Sequence, residues 1–109
     1  METMPYRRRL GGAPRVTVGI ATLDRADHVG RTIASLRHQS WPDFDVLVVA
    51  GPSTDNTDQV LAEFGASIRV LRNDETNVSR SRNIILGNTD ADLVAFLDDD
   101  EIPHRRWME

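Results

Sequence analysis

The residues with the clearest capacity for chemistry are four consecutive carboxylates near the end of the 109-residue chain, Asp98-Asp99-Asp100-Glu101. They directly follow residues 93–97, an unbroken apolar run typical of a strand buried on both faces. Because unpaired charges are very costly in a protein interior, the strand must end where the acids begin and release them at the edge of a sheet. Clustered carboxylates repel one another unless a cation joins them, and oxygen ligands favour a hard divalent ion. The sequence thus indicates a metal site or, as the alternative, a solvated acidic turn, and the position directly after a buried strand favours the metal.

The elements that must position these acids alternate along the chain. Predicted strands cover residues 16–21, 44–50, 67–71 and 92–97, and predicted helices cover 25–39, 55–64 and 77–88. Asp24 and Asp55 are placed to cap the first two helices, and a further helix is expected after Pro103. The order βαβαβαβ predicts an α/β fold, a Rossmann-like parallel sheet of about four strands with helices on both faces.

Composition limits the possible functions. The net charge of −4 gives no reason to expect a nucleic acid partner, and with no cysteine there are neither disulfides nor thiolate metal sites. All thirteen basic residues are arginine, which excludes a lysine-dependent phosphate loop and a Schiff base. No apolar run approaches the roughly 20 residues of a membrane span, so a cytoplasmic location is expected. Residues 1–14 are interpreted as a flexible leader and residues 15–109 as one domain.

The ends of parallel strands open on one rim of a sheet, where ligands bind in open α/β folds. This rule predicts that Thr22-Leu23-Asp24, Gly51-Pro52-Ser53 and the acid run lie close together, with Arg80 or Arg82 added from the third helix. Acids and arginines around a crevice suit a metal-bound diphosphate, although either arginine alone fits a surface ion pair with Asp74, Asp90 or Asp92 equally well. No glycine-rich fingerprint follows the first strand, which disfavours a dinucleotide cofactor. The three histidines, His28, His38 and His104, show no metal-ligand spacing and are expected at the surface.

These motifs resemble, in order, those of family-two glycosyltransferases with the GT-A fold. The resemblance rests on residues 16–21 followed by Thr22-Leu23-Asp24-Arg25, on Ser53-Thr54-Asp55-Asn56-Thr57 after the second strand, on Ser81-Arg82-Asn83, and on Phe96-Leu97-Asp98-Asp99-Asp100 as the Asp-x-Asp metal motif. It covers roughly residues 15–109.

The resemblance implies transfer of a sugar, with inversion, from a nucleotide-diphospho-sugar donor such as a UDP-sugar to an unknown acceptor. It implies Mn²⁺ or Mg²⁺ held by Asp100 and Asp98, with Asp98 or Asp99 on the ribose. The nucleotide-binding set that it implies is Thr22, Leu23, Asp24, Arg25, Ser53, Arg82, Asp98 and Asp99. Glu101 is expected to face solvent.

Two departures from the family pattern bear on these expectations. Ala50 and Gly51 occupy the positions where the family usually has two acids, one of which accepts a hydrogen bond from the base. The acceptor half and the general base of the family would lie beyond Glu109, so the chain is expected to be the donor-binding half and inactive alone. An uncovered sheet edge around residues 93–97 predicts a possible homo-oligomer.

Other classes remain open at this point. A nucleotidyltransferase usually has a glycine-rich, basic loop after the first strand, which residues 21–25 lack. A receiver-like signalling domain needs an acidic pair after the first strand and a lysine late in the fold, and this chain has no lysine. A non-catalytic α/β domain that binds nucleotide, metal or another protein is the remaining alternative.

Overall fold

The computed structural model describes residues 2–3, 15–40 and 43–108. In these residues the strands are Glu2–Thr3 (β1), Val16–Thr22 (β2), Phe44–Ala50 (β3), Arg69–Arg72 (β4) and Leu93–Asp98 (β5). The α-helices are Ala26–Ser35 (α1), Thr57–Ala62 (α2) and Val78–Gly87 (α3), with short 3-10 helices at Leu36–His38 and Gly65–Ser67. The predicted alternation of strands and helices is confirmed, and the boundaries lie close to those expected.

The strands form one sheet in the order β1-β5-β2-β3-β4. The predicted parallel arrangement is confirmed for β2, β3, β4 and β5, whereas β1 runs antiparallel to β5. Ala21 lies opposite Asp98 in β5, and Thr22 lies opposite Ala50 in β3. The C-terminal ends of the three central strands therefore reach one rim of the sheet.

The antiparallel strand β1 has no signal in the sequence, because two residues carry no periodicity. Glu2 pairs with Phe96 and Thr3 with Ala95, so β1 covers part of the outer edge of β5. This differs from the open edge expected around residues 93–97, and among the described strands the outer edges of the sheet belong to β1 and β4. The rest of the predicted leader, residues 1 and 4–14, lies outside the described residues, and the division into leader and domain stays a prediction.

Helices cover both faces of the sheet, as predicted. On one face α1 and α2 pack on a core that contains Val18, Ile20, Val46, Val48 and Leu97 from the strands and Val29, Ile33 and Leu61 from the helices. On the other face α3 packs through Ile85 on Leu47, Val49, Val94 and Phe96. Since successive side chains of a strand point to opposite faces, a strand buried on both sides is apolar at every position, and this explains the runs in β3 and β5.

The N-cap of α2 is Asn56, one residue after the predicted Asp55, although the Asp55 Oδ1 accepts the Thr57 N–H at 2.9 Å. Two other predicted details of the helices are wrong. Asp24 does not cap α1, because Arg25 precedes that helix and Asp24 itself has a positive φ of 51°. The free N–H of Ala26 donates instead to the Asp55 Oδ2 at 3.2 Å, from the loop after β3. The helix expected after Pro103 is a set of turns, in which Trp107 packs against the core under α1. None of the helices in the described residues combines the length and hydrophobicity needed to cross a bilayer.

Gly19, in the centre of β2, allows α3 to lie directly on the sheet. A Cβ at this position would meet Ile85 Cγ2 at 2.8 Å and a Phe96 ring carbon at 3.4 Å. Real Cβ atoms do not approach other atoms that closely, so the Ile85 side chain, or α3 that carries it, must shift if residue 19 gains a side chain.

Gly19→Ala is therefore expected to destabilise the fold by about 1–3 kcal/mol, the usual cost of overpacking a tight interior. Gly87→Ala, at the last residue of α3 and with nothing within 4 Å of the added Cβ, is the matched control. It should leave stability unchanged or raise it by up to about 1 kcal/mol, because alanine is the better helix former. Urea unfolding of both variants checks this, and a Gly19→Ala protein as stable as the control would contradict the packing.

Candidate functional site

A cleft of about 440 Å³ opens at the C-terminal rim of the sheet, on the side covered by α3. Its apolar floor includes Gly19, Ala21, Gly51 and Phe96, whose small or flat side chains leave the space open. The predicted site residues that line it are Thr22, Leu23, Arg25, Arg82, Asp98, Asp99 and Asp100. The structure thus brings together most of the predicted set, from the ends of β2 and β5 and from α3.

The acidic turn after β5 is anchored to the body of the domain. Asp99 Oδ2 accepts a hydrogen bond from the hydroxyl of Thr22 at 3.0 Å. The fully buried hydroxyl of Thr32, on α1, lies 3.0 Å from the Asp99 carbonyl and 2.8 Å from the Glu101 carbonyl. Because the backbone and one side chain of the turn are held in this way, the remaining acids have a defined position at the cleft.

Glu101 differs from its predicted, solvent-facing position. Its Oε1 accepts the backbone N–H of Asp98 at 3.0 Å, while its own N–H donates to the Asp98 carbonyl at 3.1 Å. The side chain is partly buried and does not line the cleft. Glu101 therefore closes the acidic turn, and the other three acids line the cleft, with Asp98 and Asp100 exposed and Asp99 partly buried.

Electrostatic crowding in the turn is visible in Asp99. Burial raises the pKa of its carboxyl above the usual value, and the neighbouring charges of Asp100 and Asp98 raise it further. The hydrogen bond from Thr22 and the charge of Arg25 oppose that increase in the pKa. Arg25 also forms an ion pair with Asp100, with an N–O distance of 3.5 Å between partly exposed side chains. The acids are thus only partly neutralised by the protein itself.

The two candidate arginines of α3 have different surroundings. Arg82 lines the cleft, with its guanidinium carbon 5.5 Å from the centroid of the Phe96 ring, a cation–π contact. Arg80 lies outside the cleft lining, and its Nε is 3.9 Å from a carboxylate oxygen of Glu75. The surface ion pair expected as the alternative is therefore seen for Arg80, with Glu75 as the partner in place of Asp74, Asp90 or Asp92.

Asp24 and Ser53 do not line the cleft, although they were predicted among its residues. The Asp24 Oδ1 accepts the backbone N–H groups of Thr54 and Asp55, at 2.6 and 3.2 Å. The Asp24 N–H donates to the Ser53 hydroxyl at 3.0 Å. Both side chains thus connect the loop after β2 with the loop after β3, directly behind the rim.

The loop after β4 contributes residues that the sequence reasoning missed. Glu75 and Thr76 line the cleft, and Asn73 is buried at 3% exposure. The Asn73 amide donates to the Ser81 hydroxyl at 2.9 Å and to the Asn77 carbonyl at 3.0 Å, which fixes the loop against α3. The position of this loop could have been predicted, because β4 is parallel to β3 and its C-terminal end must open on the same rim.

Metal-ligating groups are few. In residues 15–40 and 43–108 no three or more His, Asp or Glu side chains are grouped to hold a metal ion by themselves. His28, His38 and His104 are all exposed, as predicted. The acidic turn therefore does not form a complete metal site from the described side chains alone.

The sequence model of the protein family described as glycosyl transferase family 2 matches residues 17–109 of this chain. Glycosyltransferase AglE of Haloferax volcanii is 29% identical over 102 residues, which are 88% of this chain and 34% of that protein. The chain spans about a third of the length of the curated relatives it matches.

Solved structures agree on the fold. The crystal structure of S. aureus TarS 1–349 in complex with UDP superposes with a TM-score of 0.76 at 25% identity, over 86% of this chain and 30% of that one. The mannosyltransferase PcManGT from Pyrobaculum calidifontis, in complex with GDP-Man and Mn²⁺, gives a TM-score of 0.74 at 23% identity, over 94% of this chain and 33% of that one.

The expected Rossmann-like GT-A fold is thereby confirmed, and the nucleotidyltransferase and non-catalytic readings are not favoured. Since the family match extends over nearly all of the described residues, the chain belongs to glycosyltransferase family 2.

Proposed function

We propose that the cleft binds a nucleotide-diphospho-sugar through a divalent metal ion, as the donor-binding part of an inverting glycosyltransferase. The observation that carries the proposal is the presence of an acidic turn and two arginines, Arg25 and Arg82, in the lining of one cleft. Acids alone would repel a diphosphate, and arginines alone would not explain the crowded carboxylates. The two sets of charges are matched to a ligand that is itself a cation bound to an anion.

The proposed metal ligands are Asp98 and Asp100, with Mn²⁺ or Mg²⁺ as the ion. Ions of this kind are commonly held by one or two carboxylates and the oxygens of the substrate phosphates, without an all-protein cage. The absence of a three-ligand cluster in the described residues fits that arrangement. PcManGT, a neighbour with the same fold, has been solved with Mn²⁺ and GDP-Man, which supports a divalent ion for this chain.

The remaining residues of the cleft are assigned to the organic part of the donor. Thr22 and Leu23 border the nucleoside, and Asp99 lies within reach of the same region through its hydrogen bond to Thr22. Arg82 and Arg25, the arginines of the cleft lining, are assigned to the phosphate oxygens. Asp24 and Ser53 were expected in the same set, and they act on it through the loops that they connect. TarS and PcManGT bind UDP and GDP-Man respectively, so both bases are candidates here.

The chemistry of transfer follows from these assignments. The metal ion, when bound, supplies Lewis-acid stabilisation to the departing diphosphate. The arginines stabilise the same developing charge and hold the diphosphate in place, which is electrostatic preorganisation. The floor of Gly19, Ala21 and Phe96 excludes water beneath the ligand. The acceptor, the general base and the inversion at the anomeric carbon belong to the proposal for the whole protein.

The first prediction is that nucleotide binding depends on the metal through Asp100. Calorimetric titration with UDP and with GDP should show binding in Mn²⁺ that disappears in EDTA. Asp100→Asn keeps the size of the side chain but removes a charge from the ion. Its metal-dependent affinity should therefore fall by at least the roughly 10–100-fold seen when partners of metal ligands are changed.

Glu101→Gln is the control for that change. A glutamine oxygen can still accept the Asp98 N–H, and the side chain is not part of the cleft lining. Its nucleotide affinity should stay close to that of the parent. Equal binding with and without EDTA, or a damaging Glu101→Gln beside a silent Asp100→Asn, would refute the assignment.

The second prediction concerns the stability of the metal-free protein. The pKa of Asp99 is raised in the folded state, so between its unfolded value near 3.8 and the folded value the folded protein holds more protons. Below that pH range the Asp99 carboxyl is protonated in both states and does not lower the free energy of unfolding. As the pH rises through the range, the ionised carboxylate lowers the free energy of unfolding progressively. Asp99→Asn can still accept the Thr22 hydroxyl, and it should melt higher than the parent at pH 7 in EDTA. The difference should vanish below about pH 3.8.

Asp74→Asn provides the matched control, since it removes the same charge from an exposed position outside the cleft lining. Melting curves of both variants from pH 3 to pH 7 separate a local effect from a change in net charge. An equal gain in Asp74→Asn, or a loss in Asp99→Asn at neutral pH, would contradict the proposed crowding.

A further inference from the structure

The backbone at Asp24 is unusual. Its φ of 51° lies in the left-handed region, and within the described residues it is the one non-glycine residue with a positive φ. Asparagine and aspartate tolerate this conformation better than other side chains do, but it is still disfavoured without compensation. Asp24 is also exposed, so burial of its own side chain does not supply the compensation. The hydrogen bonds that Asp24 makes must therefore hold it there.

Those hydrogen bonds join two loops that are about 30 residues apart in sequence. The Asp24 Oδ1 accepts the N–H groups of Thr54 and Asp55, and it lies 3.4 Å from the Thr54 hydroxyl. In return, the Ser53 hydroxyl accepts the Asp24 N–H at 3.0 Å, and the Asp55 Oδ2 accepts the Ala26 N–H at 3.2 Å. Each loop thus supplies both donors and acceptors to the other, and we refer to this set of bonds as the loop latch.

The part of the loop latch that lies in the loop after β3 is itself held at the start of α2. Asp55 also accepts the backbone N–H of Thr57 at 2.9 Å, at the start of α2, and bonds from Thr57 lower the pKa of its carboxyl. Asp55 therefore stays ionised and links the beginning of α1 with the beginning of α2. Asp24 is held against a segment that is itself fixed.

The loop latch determines where the residues on either side of Asp24 lie. Leu23 and Arg25 both line the cleft, while Asp24 between them does not. Leu23 packs closely against Gly51, since a Cβ added to Gly51 would lie 3.1 Å from the Leu23 Cδ1. Arg25 forms an ion pair with Asp100 of the acidic turn, with an N–O distance of 3.5 Å. A change at Asp24 would consequently move two residues of the cleft without touching the ligand.

We propose that Asp24 is a positioning residue, whose carboxylate oxygen holds the loops after β2 and β3 together and so places Leu23 and Arg25 for binding of the donor nucleotide. This inference rests on the proposed nucleotide-binding function of the cleft. It assigns to Asp24 a role through hydrogen-bond acceptance alone. The three contacts use a single oxygen, so an amide oxygen can replace the carboxylate, whereas a direct contact of Asp24 with the metal ion would require the charge.

The experiment compares Asp24→Asn, Asp24→Gly and Asp24→Ala in the 109-residue chain. Asparagine keeps both the acceptor and the tolerance of positive φ, glycine keeps only the backbone conformation, and alanine keeps neither. Binding of UDP and GDP in Mn²⁺ is measured at a temperature where circular dichroism shows every variant folded. We expect Asp24→Asn to bind within about twofold of the parent and the other two variants to lose about tenfold or more.

Asp27→Ala is the control for charge, because it removes an exposed carboxylate from the first turn of α1, outside both the cleft and the loop latch. Its nucleotide affinity should equal that of the parent. If Asp24→Asn is as damaged as Asp24→Ala, the charge acts directly and the positioning role is wrong. Parent-like binding by Asp24→Ala would overturn it as well.

Amide hydrogen exchange keeps this inference separate from the proposed function. The Thr54 and Asp55 amides should be protected in the parent and in Asp24→Asn, and should exchange faster in Asp24→Gly and Asp24→Ala. Equal exchange in all four proteins would refute the loop latch itself. A protected parent that binds neither UDP nor GDP in Mn²⁺ would instead refute the nucleotide site, and with it the consequence assigned to Asp24.

Discussion

The parallel pairing of β2 with its two neighbours is the constraint on which the rest of the structure depends. This pairing sets Ala21 beside Asp98 and Thr22 beside Ala50. The three adjacent strands β5, β2 and β3 therefore end at the same level of the sheet. Because unpaired charge is costly in strands buried on both faces, the acids of the turn after β5 lie at and beyond this level. The cleft exists because those loops must pass around one another while small residues in β2 leave room beneath them.

Charge balance at the cleft follows from that crowding. The turn after β5 brings three carboxylates next to one another, and one of them is pressed against Thr22 and partly buried. Arg25 forms an ion pair with Asp100, at a distance where a partly exposed contact contributes little. The carboxylates of the turn are crowded, and burial together with the charges of Asp100 and Asp98 raises the pKa of Asp99. This is the physical sense in which an acid-rich turn differs from an ordinary solvated loop.

A structural property could be predicted from the sequence where it depends on one segment of the chain. It could not be predicted where it depends on contacts between two segments. The end of β5 could be placed because the apolar run stops at the first of four acids, and the parallel sheet followed from the alternation of elements. Asp24 looks like a helix cap in its own segment, but its conformation is decided by amide groups of Thr54 and Asp55, far along the chain. Glu75 and Thr76 reach the cleft because buried Asn73 ties their loop to α3. No single-segment pattern contains that information.

The hydrogen bonds between the loops also limit how this domain can vary. A mutation in the Ser53–Asp55 segment changes the environment of Asp24, and a mutation at Asp24 leaves amide groups of that segment without their acceptor. Substitutions in one loop therefore limit the substitutions that the other loop tolerates, so the two loops should be treated as one unit of sequence variation. For a protein engineer, transplanting either loop alone from another family member brings mismatched donors and acceptors to the mouth of the cleft. A chimaera that exchanges both together preserves the geometry of the opening.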